Sequence, residues 1–393
     1  MSLTSWHTIY FIIYRVNHLR KYLKFILLVL FTIFIFWFFG RNLDWTEVIQ
    51  SLRRADAFYL TAAVLIICLG YWLRAKRWQV LLEPITETSL KELFATTTVG
   101  FTAVFFVGRA GEIVRPMWLP MRDKRVRPSA ALVTLFVERI FDLAALACFF
   151  AVNLLWLEFP AQQAGDVANL KLVGILMLVA VSVGFLGLYI YQRFSEPIID
   201  WFEKVTDLKI IPNRLRAIFL SVLRQLANAL KILRDWREVA AVTFWTIVLW
   251  LGVALPTWFV ILAFGLPMDF SHSLFIMGWA AVGSIVPTPG GAAGAFHAAT
   301  ANGLMFLNVD RDQAYAVSFA MHLVYFAPAI IFGVYYFFHG DISIERFRSL
   351  LSSEHAVEEI ESESPDLKIG QAEKNELDFE LQSKIENRKS KIV

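Results

Sequence analysis

Long stretches without charged residues constrain this chain more than any other feature. They cover residues 25–40, 57–73, 93–108, 172–192, 239–268, 270–309 and 313–340, and residues 129–157 are apolar apart from three charged side chains. A helix needs about 20 mainly apolar residues to cross the hydrocarbon core of a bilayer. With 57% hydrophobic and 18% charged residues, a soluble enzyme is nearly excluded. The sequence therefore predicts an all-α, polytopic membrane protein.

Two of these stretches differ from a simple spanning helix. Residues 93–108 are short and rich in threonine, whereas residues 270–309 are about twice the length of a span. The middle of the second stretch, residues 287–294, contains two prolines and three glycines, which break helices. Irregular backbone at membrane depth is tolerated only where it is buried in protein or lines a cavity. We therefore predict two re-entrant segments and six full transmembrane helices.

The distribution of basic residues predicts the orientation. With six crossings and a cytoplasmic N-terminus, 23 Lys and Arg residues of the connecting segments fall on the cytoplasmic side and five on the other, as the positive-inside rule requires. The predicted order is helix, helix, re-entrant segment and helix, followed by the same four elements in the opposite direction. This order indicates an inverted repeat, as in many transporters, unless it arises by coincidence. We expect a multi-pass protein of the cell membrane with both termini in the cytoplasm.

The chain divides into three parts by composition. Residues 1–24 form a cytoplasmic N-terminal segment, residues 25–340 the transmembrane domain, and residues 341–393 a charged cytoplasmic tail that we expect to be disordered. Within the domain, residues 193–238 are expected to be a cytoplasmic amphipathic helical insertion that lies either on the leaflet or on its own domain. Up to His339 the chain has 29 basic and 21 acidic residues, which favours anionic membrane lipids over nucleic acid as partners.

The first candidate site is the sequence Gly-Arg-Ala-Gly-Glu-Ile-Val-Arg at residues 108–115. The planar guanidinium group of Arg109 suits a phosphodiester, and Gly111 lets the backbone approach a ligand closely. Glu112 and Arg115 are three residues apart, so a helix pairs them and leaves Arg109 as the freer cation. Alternatively, these are ordinary charged residues at the membrane interface.

The second candidate site lies in the span 129–157 and consists of Glu138, Arg139 and Asp142, with Glu138 about 15 Å from Pro128 along a helix. Charged residues near the bilayer centre are costly and indicate function by default. Arg139 is spaced to pair with Asp142, and Glu138 shares a helical face with Asp142. The cluster either contacts a ligand or fixes this span to the first re-entrant segment, and the sequence leaves both alternatives open.

The third candidate site is the glycine-rich run of the second re-entrant segment. Gly290, Gly291 and Gly294 expose backbone amide and carbonyl groups that bulky side chains would cover. His297 follows the run, and it either hydrogen-bonds a lipid headgroup or serves as a packing residue.

These three motifs, in this order and spacing, resemble the lysylphosphatidylglycerol synthase transmembrane-region family, whose members are also called flippase-like. The resemblance covers approximately residues 24–339. Two departures are His297, where many members have Glu, and Gly294, which comes one residue later than usual. The resemblance implies a helical membrane domain that moves phospholipid or lipid-linked material between leaflets. In bifunctional members a soluble aminoacyltransferase domain follows. The tail after His339 is too short to be that domain, so we expect no lysyl transfer.

The leading hypothesis is a lipid translocator without a catalytic site. Arg109 and Arg115 would hold an anionic headgroup, and the glycine-rich segment would form the opposite gate. The alternatives are an integral-membrane transferase and an accessory or scaffold protein, with enzymes of cell-envelope synthesis as partners. We expect no cofactor and no metal, because no Gly-x4-Gly-Lys-Ser/Thr loop occurs and Arg139 stands beside the carboxylates that would hold Mg²⁺.

Overall fold

The computed structural model describes residues 43–83, 85–157, 164–206 and 235–339, with residues 41 and 159 and scattered positions at 30–37 and 220–230. No strand occurs among these residues, which confirms the predicted all-α class. The helices are α1 (Trp45–Arg54), α2 (Ala57–Leu82), α3 (Leu90–Val107), α4 (Val114–Arg122), α5 (Pro128–Trp156), α6 (Ala164–Arg193), α7 (Ser195–Thr206), α8 (Trp236–Ala263), α9 (Phe270–Gly283), α10 (Pro289–Phe306) and α11 (Arg311–Phe338).

Several predicted elements lie outside the described residues. They are most of the first span at 25–40, the central part of the insertion at 193–238, and the tail at 341–393. Every candidate site residue belongs to one compact unit, which contains the described residues up to 189 and those from 235 to 339.

The described chain contains several segments that are long and apolar enough to cross a membrane. Five segments meet this description, namely Ala57–Leu82, Leu90–Arg122, Val167–Arg193, Trp236–Ala263 and Arg311–Phe338. Helix α5 has 29 residues, which is also long enough to span, and it begins at Pro128, a residue that favours the first position of a helix. These helices agree with a polytopic membrane protein.

Helix α2 is longer than the sequence predicts. The uncharged stretch ends at residue 73, but the helix continues to Leu82. Arg74 and Arg77, which the count of basic residues places among the cytoplasmic connecting segments, therefore belong to this helix. The helix continues because Trp78 and Leu82 extend its buried apolar surface, while Arg77, fully buried, meets charged partners inside the protein.

The segment Leu90–Arg122 is a hairpin, which we call the first hairpin. Helix α3 ends at Gly108, which has φ +68°, and a 3-10 turn leads into α4, which returns antiparallel to α3. Glu92 and Arg122, at the two ends of the hairpin, form an ion pair. Near the turn, Gly111 packs directly on the backbone of Ala103. The two ends of the segment therefore lie close together.

Helices α9 and α10 form the second hairpin. Gly303 of α10 packs on the ring of Trp279 in α9, where an added Cβ would lie 2.8 Å from ring atoms. Gly283 packs in the same way against Ala299. The predicted stretch 270–309 is thus two antiparallel helices joined at residues 284–288.

The tips of the two hairpins touch. A Cβ at Gly108 would lie 3.0 Å from the Thr288 carbonyl oxygen. Arg109 donates from Nε and Nη2 to the Ser284 carbonyl oxygen at 3.1 and 2.7 Å. The Ser284 carbonyl, just after the end of α9, is therefore satisfied across the contact.

Each hairpin packs on a long helix from the other half of the chain. In the first hairpin, Thr102 donates its hydroxyl to the Ala329 carbonyl of α11 at 2.8 Å. In the second hairpin, the Ser271 carbonyl accepts from the side chain of Asn153 in α5 at 2.9 Å. Helices α2 and α8 pack on each other between them.

Gly111→Ala is expected to destabilise the protein. A Cβ atom at position 111 would lie 2.6 Å from the carbonyl oxygen of Ala103, so the two legs of the first hairpin would have to separate. Overpacking of this kind costs about 1–3 kcal/mol, which should lower the thermal unfolding temperature in detergent. Gly187→Ala is the matched control, because a Cβ there meets nothing within 4 Å. Equal unfolding temperatures would contradict the close packing of the hairpin.

Candidate functional site

Two buried carboxylates and two buried arginines form the centre of an ion cluster between α2, the first hairpin and α5. Asp142 accepts hydrogen bonds from Arg77 Nη1 at 2.5 Å and Nη2 at 3.1 Å. Glu138 accepts from Arg115 Nη1 at 2.8 Å and Nη2 at 3.3 Å. All four side chains are at most 6% exposed. Each carboxylate is therefore held by two hydrogen bonds from one guanidinium group, a strong ion-pair geometry.

Arg139 is the third arginine of the cluster. Its Nη2 lies 2.7 Å from Glu138 Oε1 and 3.3 Å from Asp142 Oδ2, so it contacts both carboxylates as the sequence predicts. Unlike the other two arginines, its side chain is 37% exposed. On α5 it shares a helical face with Leu132, Phe136 and Leu143, which are at least half exposed. The outer edge of Arg139 therefore lies on an exposed apolar surface.

Helix α8 and a tryptophan of α2 complete the surroundings of the cluster. Trp250 of α8 donates its ring N–H to Asp142 Oδ1 at 3.0 Å, and Arg77 Nη1 lies 3.3 Å from the hydroxyl of Thr246. The Arg115 guanidinium lies 4.6 Å from the centre of the Trp78 ring, a cation–π contact. Buried charges are stable only when they are paired and hydrogen-bonded, and both carboxylates meet this requirement.

The structure corrects the predicted pairing at the tip of the first hairpin. Glu112 pairs with Arg109, at 2.6 Å between Oε1 and Nη1, and Arg115 pairs with Glu138 instead. Residues 108–113 form a 3-10 turn, in which residues three apart are eclipsed. Arg109 is therefore not the freer cation, because it also donates to Ser284. The Arg109 and Glu112 side chains remain 42% and 40% exposed.

The glycine-rich run forms a left-handed turn at the start of α10. Gly290, Gly291 and Ala292 have φ values of 74°, 63° and 62°, a conformation that glycine adopts freely and alanine only with strain. A Cβ on Gly291 would lie 2.5 Å from the ring of Phe326. Gly294 is buried in the helix that follows. These residues thus shape the second hairpin where it packs on α11.

His297 is buried among aromatic rings between α10 and α11. Its ring centre lies 4.5 Å from that of Phe319 and 4.8 Å from that of His322. His322 Nε2 in turn lies 3.4 Å from the Gly291 carbonyl oxygen. This environment favours the packing alternative for His297 over direct contact with a headgroup.

Arg77 is the main residue of the cluster that sequence reasoning missed. Its partners are 61 and 65 positions away along the chain, so no local spacing reveals the pairing. A usable signal was present, because Trp72, Leu73 and Trp78 continue the apolar pattern on both sides of Arg77. A basic residue inside a continuing apolar helix requires an internal partner.

One group of three carboxylates in the described chain is close enough to hold a cation. Oxygen atoms of Glu47, Asp310 and Asp312 lie within 4.8 Å of one another near the start of α11. Asp310 accepts from the Asp312 N–H at 3.0 Å, and Asp312 accepts from the Asp44 N–H at 3.2 Å. Two of the three carboxylates therefore already accept backbone hydrogen bonds at helix starts.

Arg77→Gln is expected to destabilise the protein more than Arg139→Gln. Loss of Arg77 removes the arginine that holds the buried Asp142 carboxylate with two hydrogen bonds. Breaking a buried ion pair costs about 3–5 kcal/mol. Loss of Arg139 leaves Glu138 and Asp142 with their bidentate partners. Thermal unfolding of both variants in the same detergent tests the difference. A larger fall for Arg139→Gln would contradict the assigned roles.

Comparison with known proteins gives the same family as the motifs indicate. The family profile described as lysylphosphatidylglycerol synthase TM region matches residues 25–333, a range that includes every candidate residue. A UPF0104 membrane protein of Pyrococcus horikoshii is 20% identical over 336 residues, which cover 80% of this chain and 96% of that protein. The chain therefore belongs to the lysylphosphatidylglycerol synthase transmembrane-region family.

Proposed function

We propose that the protein translocates an anionic phospholipid or lipid-linked intermediate between the leaflets of the cell membrane. The observation that carries this proposal is a cation, Arg139, on an exposed apolar face of α5. Lipid has access to such a face from the side. Because Arg77 and Arg115 already hold Asp142 and Glu138, Arg139 is available to a phosphate group without stranding either carboxylate.

The contact between the hairpin tips supplies a gate for the headgroup. Arg109 holds the tips together through Ser284, and we propose that this bond opens during transport. Phe106, Ile113 and Ile285 flank the contact and are each more than half exposed. Such apolar side chains suit acyl chains that remain in the bilayer while the polar headgroup passes.

The two hairpins also support a proposed placement in the membrane. We propose that each hairpin re-enters from one side, with six full crossings around them. The first hairpin packs on α11, and the second hairpin packs on α5. Each hairpin therefore contacts a long helix of the other half of the chain, which supports an inverted repeat. In such repeats the substrate site lies near the midplane, at interrupted helices from each half.

Single-cysteine labelling tests the re-entrant arrangement. Cysteines that replace Lys91 and Lys124, both exposed and near the ends of the first hairpin, should react with a membrane-impermeant reagent from the cytoplasmic side. Cysteines that replace Arg54 and Arg311 should react only from the opposite side. Labelling of positions 91 and 124 from opposite sides would contradict both the re-entrant hairpin and the inverted repeat.

The engagement of both carboxylates supports transport over the transferase alternative. A transferase acting on a lipid diphosphate needs carboxylates that can bind Mg²⁺. Glu138 and Asp142 are instead occupied by three arginines. An accessory or scaffold role leaves the cost of burying these charges without a purpose.

Arg139→Gln is expected to remove the preference for anionic lipid. In liposomes, the wild type should move fluorescent phosphatidylglycerol faster than phosphatidylcholine. The variant should move phosphatidylglycerol about tenfold more slowly than the wild type, because it lacks one charge-assisted hydrogen bond to the phosphate. Arg139→Lys should retain part of it, because the charge remains.

Arg54→Gln is the matched control for this measurement, since Arg54 is an exposed arginine at the end of α1. It should behave as the wild type does. Equal rates for the two lipids in both the wild type and Arg139→Gln would overturn the phosphate site and favour the scaffold alternative.

A further inference from the structure

A fourth arginine accompanies the ion cluster. Arg74 lies one turn before Arg77 on α2, which places the two residues on the same helical face. Its guanidinium lies 5.0 Å from the centre of the Phe101 ring in the first hairpin. Asp142 and Arg139 are among the charges that act on it. Within the part of the chain that the structure describes, no carboxylate lies within ion-pair distance of Arg74.

The cluster therefore has two more positive than negative charges. Arginine stays protonated in proteins, so Arg74, Arg77, Arg115 and Arg139 contribute four positive charges against two from Glu138 and Asp142. Glu112 does not change the sum, because it pairs with Arg109. A surplus of two charges at membrane depth is costly unless an anion compensates it.

Two donors of the cluster also have no hydrogen-bond partner among the described residues. The Nε atoms of Arg77 and Arg115 are buried and have no hydrogen-bond acceptor. Buried N–H groups without partners are rare in native proteins and call for a bound water or ligand. These donors belong to side chains that are 0% and 5% exposed, so bulk solvent does not satisfy them.

We propose that the substrate headgroup is a lipid diphosphate, held between Arg139 and Arg74. This inference rests on the proposed function and specifies its substrate class. A diphosphate carries at least two negative charges on neighbouring phosphoryl groups, so it balances the surplus and offers one group to each free guanidinium edge. A phosphodiester such as phosphatidylglycerol carries one charge and leaves the second arginine uncompensated.

Binding of three lipids with the same acyl chains to the purified protein in nanodiscs tests this proposal. They are dioleoylglycerol diphosphate, dioleoyl phosphatidic acid and dioleoyl phosphatidylglycerol, with phosphatidylcholine as the neutral reference. The wild type should bind the diphosphate about tenfold more tightly than phosphatidylglycerol. Phosphatidic acid should lie between them, since it has a single phosphoryl group that, as a monoester, carries more negative charge than a phosphodiester.

Arg74→Gln should reduce the ratio of diphosphate to phosphatidylglycerol affinity towards one, and Arg74→Lys should restore most of it. Because Arg74 forms no ion pair with either carboxylate, its loss leaves Asp142 and Glu138 with their hydrogen-bonded partners Arg77 and Arg115. Arg54→Gln, the exposed control, should keep the wild-type ratio. Arg139→Gln should weaken the binding of both the diphosphate and phosphatidylglycerol.

The outcomes separate this inference from the proposed function. Equal wild-type affinity for the diphosphate and phosphatidylglycerol, both above phosphatidylcholine, would overturn the diphosphate assignment alone. Equal affinity for phosphatidic acid and the diphosphate would also overturn it, in favour of a phosphate monoester. No preference for any anionic lipid over phosphatidylcholine would overturn the proposed function as well.

Discussion

Two carboxylates buried on one helix determine how the membrane part of this protein is arranged. Glu138 and Asp142 of α5 cannot remain charged inside the protein without cationic partners, and those partners come from other elements. Arg77 of α2 and Arg115 of the first hairpin each hold one of them with two hydrogen bonds. Trp250 of α8 adds a hydrogen bond to Asp142. The network thus fixes four elements relative to one another, with a directional geometry that apolar packing between membrane helices does not supply.

Two glycines of the first hairpin allow Arg115 to reach Glu138. Arg115 reaches Glu138 only because the chain reverses at Gly108, which has φ +68°, and returns with Gly111 against the backbone of α3. The turn would leave polar backbone groups unsatisfied in lipid. The contact of Gly108 and Arg109 with Ser284 and Thr288 covers them. Separation of the tips therefore leaves the Ser284 carbonyl without its partner Arg109.

Local patterns predicted the helical class and the two interrupted segments, but not the return helix α4 or the ion pairs between elements. The uncharged stretches and the prolines at 287 and 289 were sufficient to identify both interrupted segments. The pairing of Glu112 with Arg115 was wrong because it assumed an α-helix through residues 108–115, where a 3-10 turn changes the angular position of each side chain. Arg77 was missed because its partners are distant in sequence. In addition, the count of basic residues used for the orientation assigns every arginine after an apolar stretch to a connecting segment.

The arginines of the cluster have different contacts, and this difference would allow a buried ion network to accompany the proposed movement of a ligand. If every arginine were needed to neutralise the carboxylates, binding a phosphate would strand a buried charge each time. Arg77 and Arg115 make that neutralisation independent of Arg139, whose contacts to Glu138 and Asp142 use a single nitrogen, Nη2. Rotation of one side chain can therefore exchange a carboxylate contact for a phosphate contact while α2, α5 and the first hairpin keep their positions. In the proposed translocation, capture and release of a headgroup would then require little reorganisation of the scaffold, and the larger motion would fall to the contact between the hairpin tips.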